Sequence, residues 1–505
     1  MKPVLTYLHT NWILLCILLL AIVIGLYNLD GLPAEMWGDA TAHYDLAQKV
    51  QTGHFFLDYA YGGDGPLFTY IVVTVAAFLG LSFYTLKLTS VLIYLFFILT
   101  VYLLSHALFK RRDIAYISSF LAAVSFWSIT FARQPHARML VPLFITLTVY
   151  FAVKKKHVVA GMFLGLSMYT QASIWALPLL FWRRFKILLI GLLLTIPLIY
   201  TFSHSSTGFF TDQSYFGEKL ATSTHMPFDL VLQTIWQNIG SNFLSFFWRG
   251  DVGFRMNVPN SPHLDGASAC FFAVGLLLLG YTVFKEKKWQ YLEYLILPFF
   301  LIQIPSLLDI HNPTAQPNIG RMIGVIPFVY IITAYGLVTG LQWFFTFVLK
   351  HSKLKKDLHI ICLLYLLAVI AFANCYKYFV VYPHFLPDRN TPFARIIARA
   401  IDTAPHSTSF VILGGGWGEW QQPEQTAIAA SITNPHAVTY LPGFTTARDL
   451  CPLLEKPTGQ TLIVVDPRNR KLATGLKKCN ITPQEYFLHA NGYHVARMFL
   501  VAKKN

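Results

Sequence analysis

Charge is what this sequence has least of. Of 505 residues, 12% are Asp, Glu, Lys or Arg, about half the share of an ordinary soluble domain, so a single water-soluble globule is excluded. Acids are scarcer than bases, 24 against 39, which leaves a formal net charge of +15. Cysteine is sparse as well. Six cysteines in a chain of this length exclude a disulfide-dense secreted scaffold. Cys16, Cys270, Cys362 and Cys375 lie in or beside apolar stretches, and only Cys451 and Cys479 lie in the polar last part of the chain, where their pairing stays open.

What is present is apolar length. Hydrophobic runs of about 17 to 25 residues recur from Trp12 to about Tyr382, each long enough for a hydrocarbon core of about 30 Å. The chain therefore reads as a polytopic α-helical membrane protein. The last ~120 residues lack such runs and are expected to form a water-exposed domain. Trp12 to Tyr27 has no cleavage site after it and is expected to stay as the first span.

The basic residues fall in tight connections: Lys110 to Arg112, Lys154 to Lys156, Arg183 to Lys186, Lys285 to Lys288 and Lys350 to Lys356. The positive-inside rule makes all of them cytoplasmic. This placement accounts for most of the charge, and no nucleic-acid partner is expected. If every cluster is inside, consecutive clusters are separated by an even number of spans, giving about eleven transmembrane helices with the carboxyl end outside. Pro66 to Leu81 then cannot be a full crossing and is expected to lie on, or dip into, the outer surface.

This division predicts a transmembrane domain over 1–382 with outer loops 28–83, 204–265 and 306–320, followed by an extracytoplasmic domain over 383–505. In the latter, β-like runs such as Ser409 to Leu413, Thr461 to Val465 and Val495 to Val501 alternate with helix-like ones such as Phe393 to Ile401, which reads as a small α/β module. Gly414 to Gly418 follows a strand but lacks dinucleotide-binding spacing, and Asn480-Ile481-Thr482 matches a glycosylation acceptor.

The outer loops carry the ionisable residues: Asp39, Asp64, Arg133, Arg138, Arg249, Asp251, Arg255, Asp309 and Arg321. Charged groups at membrane depth are functional candidates by default. Asp39 reads either as a functional carboxylate at membrane depth or as a cap on the helix that follows it, and Asp64 either as a functional carboxylate or as a turn residue. Arginine suits phosphate because its planar fork donates paired hydrogen bonds.

Trp37-Gly38-Asp39 with His43-Tyr44, then Gly65-Pro66-Leu67, resembles the first outer loop of the polyprenyl-phosphate-dependent C-type glycosyltransferases, which include protein O-mannosyltransferases and aminoarabinose transferases. Phe131-Ala132-Arg133 with Arg138, Met168 to Gln171, Arg249-Gly250-Asp251 with Arg255 to Pro259, and Arg321 with Pro327 continue the resemblance in order over about residues 10 to 350. The resemblance implies Asp39 as the catalytic carboxylate, with Ala40 standing where the family usually has glutamate, and Asp64 as second candidate. It further implies Arg255 and Arg321, with Arg133 and Arg138, as donor-phosphate ligands, and His43, Tyr44 and Asp251 as sugar or acceptor contacts. The second loop, Arg133 to Arg138, contains no acid, and His136 and His263 have no second ligand at suitable sequence spacing, so neither a metal nor a cofactor is expected.

The reaction so implied is transfer of a hexosyl or pentosyl group from a polyprenyl-phosphate donor to a hydroxyl of a protein, lipid or glycan acceptor, at the outer face of the cell (plasma or inner) membrane. The alternative is a transporter or lipid flippase. Against that alternative, the polar residues collect toward one face, and no half of the chain repeats the other.

Overall fold

The computed structural model describes residues 11–36, 38–59, 63–204, 226–310, 316–348, 355–413, 425–434, 436–441, 445–454, 460–469, 471–478, 481–490 and 492–501. They divide into two compact units. The first comprises residues 1–29, 49–80 and 87–382, and the second 30–48, 81–86 and 383–505. The stretch 28–83, expected as a single outer loop of the transmembrane domain, is thus shared between them.

The helices are, in chain order, α1 (Trp12–Leu26), α2 (Asp39–Gln51), α3 (Leu67–Leu79), α4 (Phe83–Phe109), α5 (Arg112–Val124), α6 (Phe126–Arg133), α7 (Leu140–Val153), α8 (His157–Ser167), α9 (Phe185–His204), α10 (Phe228–Leu244), α11 (Gly266–Lys285), α12 (Ile326–Val348) and α13 (Lys355–Tyr376). A 3-10 segment, Ala172–Phe181, joins α8 to α9, and a broken helix covers Trp289–Leu301.

Among the described residues, five helical stretches are long and apolar enough to cross a membrane: Phe83–Phe109, Phe185–His204, Gly266–Lys285, Ile323–Val348 and Asp357–Phe385. A sixth arises if α5 and α6, bent by 54° at Ser125, form one span. The expected number of about eleven is not reached on this criterion. The other apolar helices have 10 to 17 residues, and at about 1.5 Å per residue they fall short of a hydrocarbon core. One of these is α3, the stretch expected to lie on or dip into the surface. Within the expected outer loop 204–265 there is also a 17-residue helix, α10, that exposes Phe228, Leu232 and Trp236.

Close helix contacts in the first unit depend on missing side chains. A Cβ on Gly161 would lie 2.9 Å from the Ile187 carbonyl oxygen, and one on Gly165 would lie 2.8 Å from that of Gly191. Small residues let membrane helices approach backbone to backbone, and here they seat α8 against α9.

The second unit is built on a five-stranded sheet of β1 (Thr408–Leu413), β2 (Val438–Leu441), β3 (Gln460–Val465), β4 (Gln484–Ala490) and β5 (Tyr493–Val501), in the order β2-β1-β3-β5-β4. β1 runs parallel to β2 and β3, whereas β5 is antiparallel to β3 and β4. Alternation with period two sends Phe410, Ile412 and Val464 to one core and Val411, Leu413, Ile463 and Val465 to the other. The first core takes in α14 (Phe393–Asp402) and also Met36 and Ala40.

Those last two residues arrive because segment 30–36 is tied down within the same unit. Glu35 is buried, and one of its oxygens accepts the Ala394 N–H at 2.7 Å in the first turn of α14. A carboxylate there satisfies an orphan donor and suits the helix dipole. Asn390 accepts the Ala34 N–H at 2.7 Å and donates to the Gly31 carbonyl at 2.8 Å, and Arg395 pairs with Asp30.

Candidate functional site

In the first unit, polar side chains gather where four separate stretches of chain meet. Gly63 to Gly65 pairs with Thr170 to Ala172 as a short antiparallel bridge: the Gly65 N–H donates to the Thr170 carbonyl at 2.8 Å, and the Ala172 N–H to that of Gly63 at 2.9 Å. A Cβ on Gly65 would sit 2.2 Å from the Tyr169 carbonyl oxygen, so only glycine allows this approach. Asp64 is therefore not a turn residue. It is held in extended backbone and is 3% exposed.

The Asp64 carboxylate accepts from Gln171 Nε2 at 3.3 Å, and Ser173 Oγ donates to Gln171 Oε1 at 2.9 Å. Its other oxygen lies 3.2 Å from His136 Nδ1. The backbone N–H of Arg138 also points at that nitrogen, at 3.4 Å. One ring nitrogen cannot both donate and accept. The shorter contact to a carboxylate favours a proton on Nδ1, and the longer one is at the limit of hydrogen bonding. The fold thus supplies His136 with a neighbour of metal-ligating type, Asp64, which sequence spacing did not suggest, and these two side chains offer one oxygen and one nitrogen donor.

Next to this pair lies an arginine cluster. Arg138 Nη1 is 3.0 Å from Met256 Sδ. A Cβ on Gly320 would come within 2.1 Å of the same Nη1, so the guanidinium fills the space that a side chain at 320 would need. Arg321 follows directly. Its guanidinium pairs with Asp309, which also accepts from Gln316 Nε2 at 3.0 Å. Gln316 in turn accepts from Ser306 Oγ at 2.9 Å.

Asp251 fastens the loop that carries Arg255 and Met256. Its oxygens accept the Gly253 N–H at 2.7 Å and the Ile319 N–H at 2.9 Å. Burial pushes its pKa up, against the lowering effect of those two N–H groups and of Arg138 and Arg321. Arg255 is half-buried, and its carbonyl is gripped by Gln134 Nε2 and the Tyr382 hydroxyl.

Arg133 requires a correction. It is wholly buried and donates to the Ile24 and Gly25 carbonyls at 2.8 Å each, to that of Asn28 at 3.0 Å and to the Tyr378 hydroxyl at 3.2 Å. Four of its five N–H donors are spent on the end of α1 and the chain after α13. Its guanidinium is a structural tie.

In the second unit, Asp39 occupies the first turn of α2, is half-buried, and follows Gly38 at φ +52°. The Gly38 carbonyl accepts from Thr41 Oγ1 at 2.7 Å and from the Ala42 N–H at 3.2 Å. His43 is buried one turn later. Tyr44 packs against the core that α14 lines, and burial, with the Asp45 charge, pushes its phenol up. Trp37, Gly414 to Gly418, Cys479 and Asn480 lie outside the described residues.

No protein-family model matches the sequence, and no curated protein matches it. Solved structures match the fold along nearly the whole chain. ArnT from Cupriavidus metallidurans bound to undecaprenyl phosphate superposes with a TM-score of 0.54 at 13% identity, covering 98% of this chain and 98% of that one. The archaeal oligosaccharyltransferase AglB from Archaeoglobus fulgidus, in complex with an inhibitory peptide and a dolichol-phosphate, gives 0.53 at 13% identity, covering 99% of this chain and 75% of that one. The fold is that of the polyprenyl-phosphate-dependent C-type membrane glycosyltransferases. At this identity the likeness establishes the fold alone.

Within this C-type fold, sequence reasoning singled out Asp64, Arg138, Asp251 and Arg321, and the structure brings them together with His136. It placed Gln171 and Met256 within the motifs Met168 to Gln171 and Arg255 to Pro259 without giving them a role, and it missed Ser173 and Gly320, which are neutral and carried no signal.

Proposed function

We propose that this protein transfers a sugar from a polyprenyl-phosphate donor to an acceptor hydroxyl at the outer face of the membrane. The observation that carries this reading is the arginine cluster of the first unit, Arg138 against Gly320 and Arg321 next in the chain, both acting on Asp251, in a fold shared with proteins bound to undecaprenyl phosphate and dolichol-phosphate.

In the reaction, the bond between the sugar C1 and the phosphate oxygen breaks and a bond from C1 to the acceptor oxygen forms. The hydroxyl proton passes to Asp39. The leaving electron pair stays on the polyprenyl phosphate, whose growing charge is met by Arg255, Arg321 and Arg138. Donors aimed at developing charge contribute most to catalysis of this kind, and the carboxylate adds general-base assistance. Asp251 and Asp309 hold the loops that present these arginines, and Asp64 fixes His136 beside Arg138.

The test uses purified full-length protein, a radiolabelled polyprenyl-phosphate sugar and a surface-glycan acceptor fraction. Asp39→Asn is expected to lower kcat by roughly 100- to 10,000-fold with normal yield and thermal stability. Transfer at the parental rate would remove Asp39 from its role. Donor movement across sealed vesicles without a glycosidic product would replace the enzyme with a transporter.

A further inference from the structure

The turn between α7 and α8, at the other end of α7 from Arg138, holds an open basic cavity. About 320 Å³ in volume, it is lined by Lys155, Lys156, His157, Val158, Val159 and Lys186. The three lysines come from two parts of the chain because α8 and α9 pack through Gly161, Gly165 and Gly191, which places Lys186, in the first turn of α9, beside the first turn of α8.

Among the described residues, no carboxylate pairs with any of these lysines. The neighbouring Arg184 differs, being committed to Glu293 at 2.5 Å. The cavity wall also contains His157, Val158 and Val159, the first three residues of α8, whose backbone N–H groups have no acceptor within the helix. His157, half-buried in the cavity wall, makes no hydrogen bond through Nε2 among the described residues. Cations and free N–H groups around one cavity make an anion site.

Lys155 has φ +58°, left-handed backbone that favours glycine. The Lys155 N–H bonds to the Ala152 carbonyl and the Lys156 N–H to that of Phe151, both at 2.9 Å, the glycine-type helix stop. Lys110 and Lys287 take the same backbone in other basic turns, so the cavity, not the turn, sets Lys155 apart.

Apolar side chains at the same level indicate what carries the anion. Trp182, Phe185 and Val158 are 67%, 72% and 57% exposed. Exposed aromatics of this kind mark the headgroup level of a bilayer, and basic pockets between helices on the positive-inside face take anionic headgroups. We propose that this cavity binds the phosphodiester of an anionic phospholipid of the inner leaflet, with Lys155, Lys156 and Lys186 as its ligands and the acyl chains along the exposed faces of α8 and α9.

The test is lipid titration of the purified full-length protein in mild detergent, read by native mass spectrometry. The parent is expected to retain phosphatidylglycerol over phosphatidylcholine, and Lys155→Gln/Lys156→Gln/Lys186→Gln to lose affinity for phosphatidylglycerol by about 100-fold, near fivefold per lysine. Lys285→Gln/Lys287→Gln/Lys288→Gln removes equal charge elsewhere and should bind as the parent does. If the triple variant fails to fold, Lys155→Gly, whose backbone suits φ +58° better, and Lys186→Gln alone are each expected to weaken binding about fivefold. Equal binding of the two lipids by the parent, unchanged binding by the cavity variants, or equal loss in the control cluster would overturn the proposal. Displacement of the lipid by inorganic phosphate at millimolar concentration would reassign the cavity to the free anion.

Discussion

Arg138 and Gly320 occupy one space, and only one of them can put a side chain there. With Arg138 Nη1 2.1 Å from where a Cβ would stand, Gly320→Ala must displace the guanidinium by about an ångström, a shift that costs on the order of 100-fold in a preorganised site. The expected result is a fall of that size in kcat/KM with little change in thermal stability, measured by donor titration, and activity within about threefold of the parent would show that Arg138 does not touch the donor. His263 makes a second prediction at this scale. It lies against the Trp127 ring, and its Nε2 accepts the Asp251 N–H at 3.3 Å. Burial, with Lys377, pushes its pKa down to about 3, whereas the unfolded chain titrates near 6.5. Between those values the unfolded state holds a proton that the folded state lacks. Stability is therefore complete above pH about 6.5 and is lost as the pH falls toward 3, at about 1.4 kcal/mol per pH unit. Asp251, whose pKa is raised, opposes this at the acidic end. Thermal unfolding of the detergent-solubilised protein at pH 7.5 and 5.0 should show the drop, and His263→Gln should flatten it. A parental curve with no such slope would contradict the burial argument.

Among the elements, α1 is a short helix whose end is secured by a side chain from elsewhere. Its last carbonyls lack intrahelical donors, and Arg133, at the end of α6, supplies them through Ile24, Gly25 and Asn28. The Tyr378 and Phe379 rings lie 5.3 Å and 5.1 Å from the guanidinium carbon, adding cation–π attraction. Removing the arginine leaves buried carbonyls without donors, each worth about 1 to 3 kcal/mol. Arg133→Ala is expected to lower the thermal midpoint and the yield, and Arg133→Lys to recover only part of the loss because an ammonium cannot span the same fork. A variant that unfolds like the parent would return Arg133 to the candidate ligands. The bend at Ser125 belongs to the same scale: it ends α5 and starts α6 in a new direction, which delivers Arg133 to α1.

For the molecule as a whole, the second unit is assembled from three separate stretches of chain. Met36 and Ala40 are buried in the same core as Phe393, Ile397, Phe410 and Ile412, and Phe83 packs against it. A fragment 383–505 made alone lacks those side chains and the Glu35 carboxylate at the start of α14. It is expected to bind hydrophobic dye and to melt without a cooperative transition, and a sharp calorimetric transition in the fragment would show that the borrowed residues are dispensable.

The membrane class followed from the sequence, because apolar length and basic clusters are local properties that no packing can change, and the α/β character of the last part followed from short β-like runs such as Ser409 to Leu413. The chemistry-bearing residues were legible as charges out of place in an apolar chain. Their partners were not. Gln171 meets Asp64 across 107 positions and Asp309 meets Arg321 across a loop, and neutral or loop residues carry no periodic signal. Arg133 and Arg138 read alike in the sequence, and only packing set one to hold a helix end and left the other beside a glycine-made space. The sequence by itself determined that charge at the membrane surface would matter. Tertiary structure decided which charges meet backbone carbonyls and which meet one another, because hydrogen-bond partners are fixed by proximity in space.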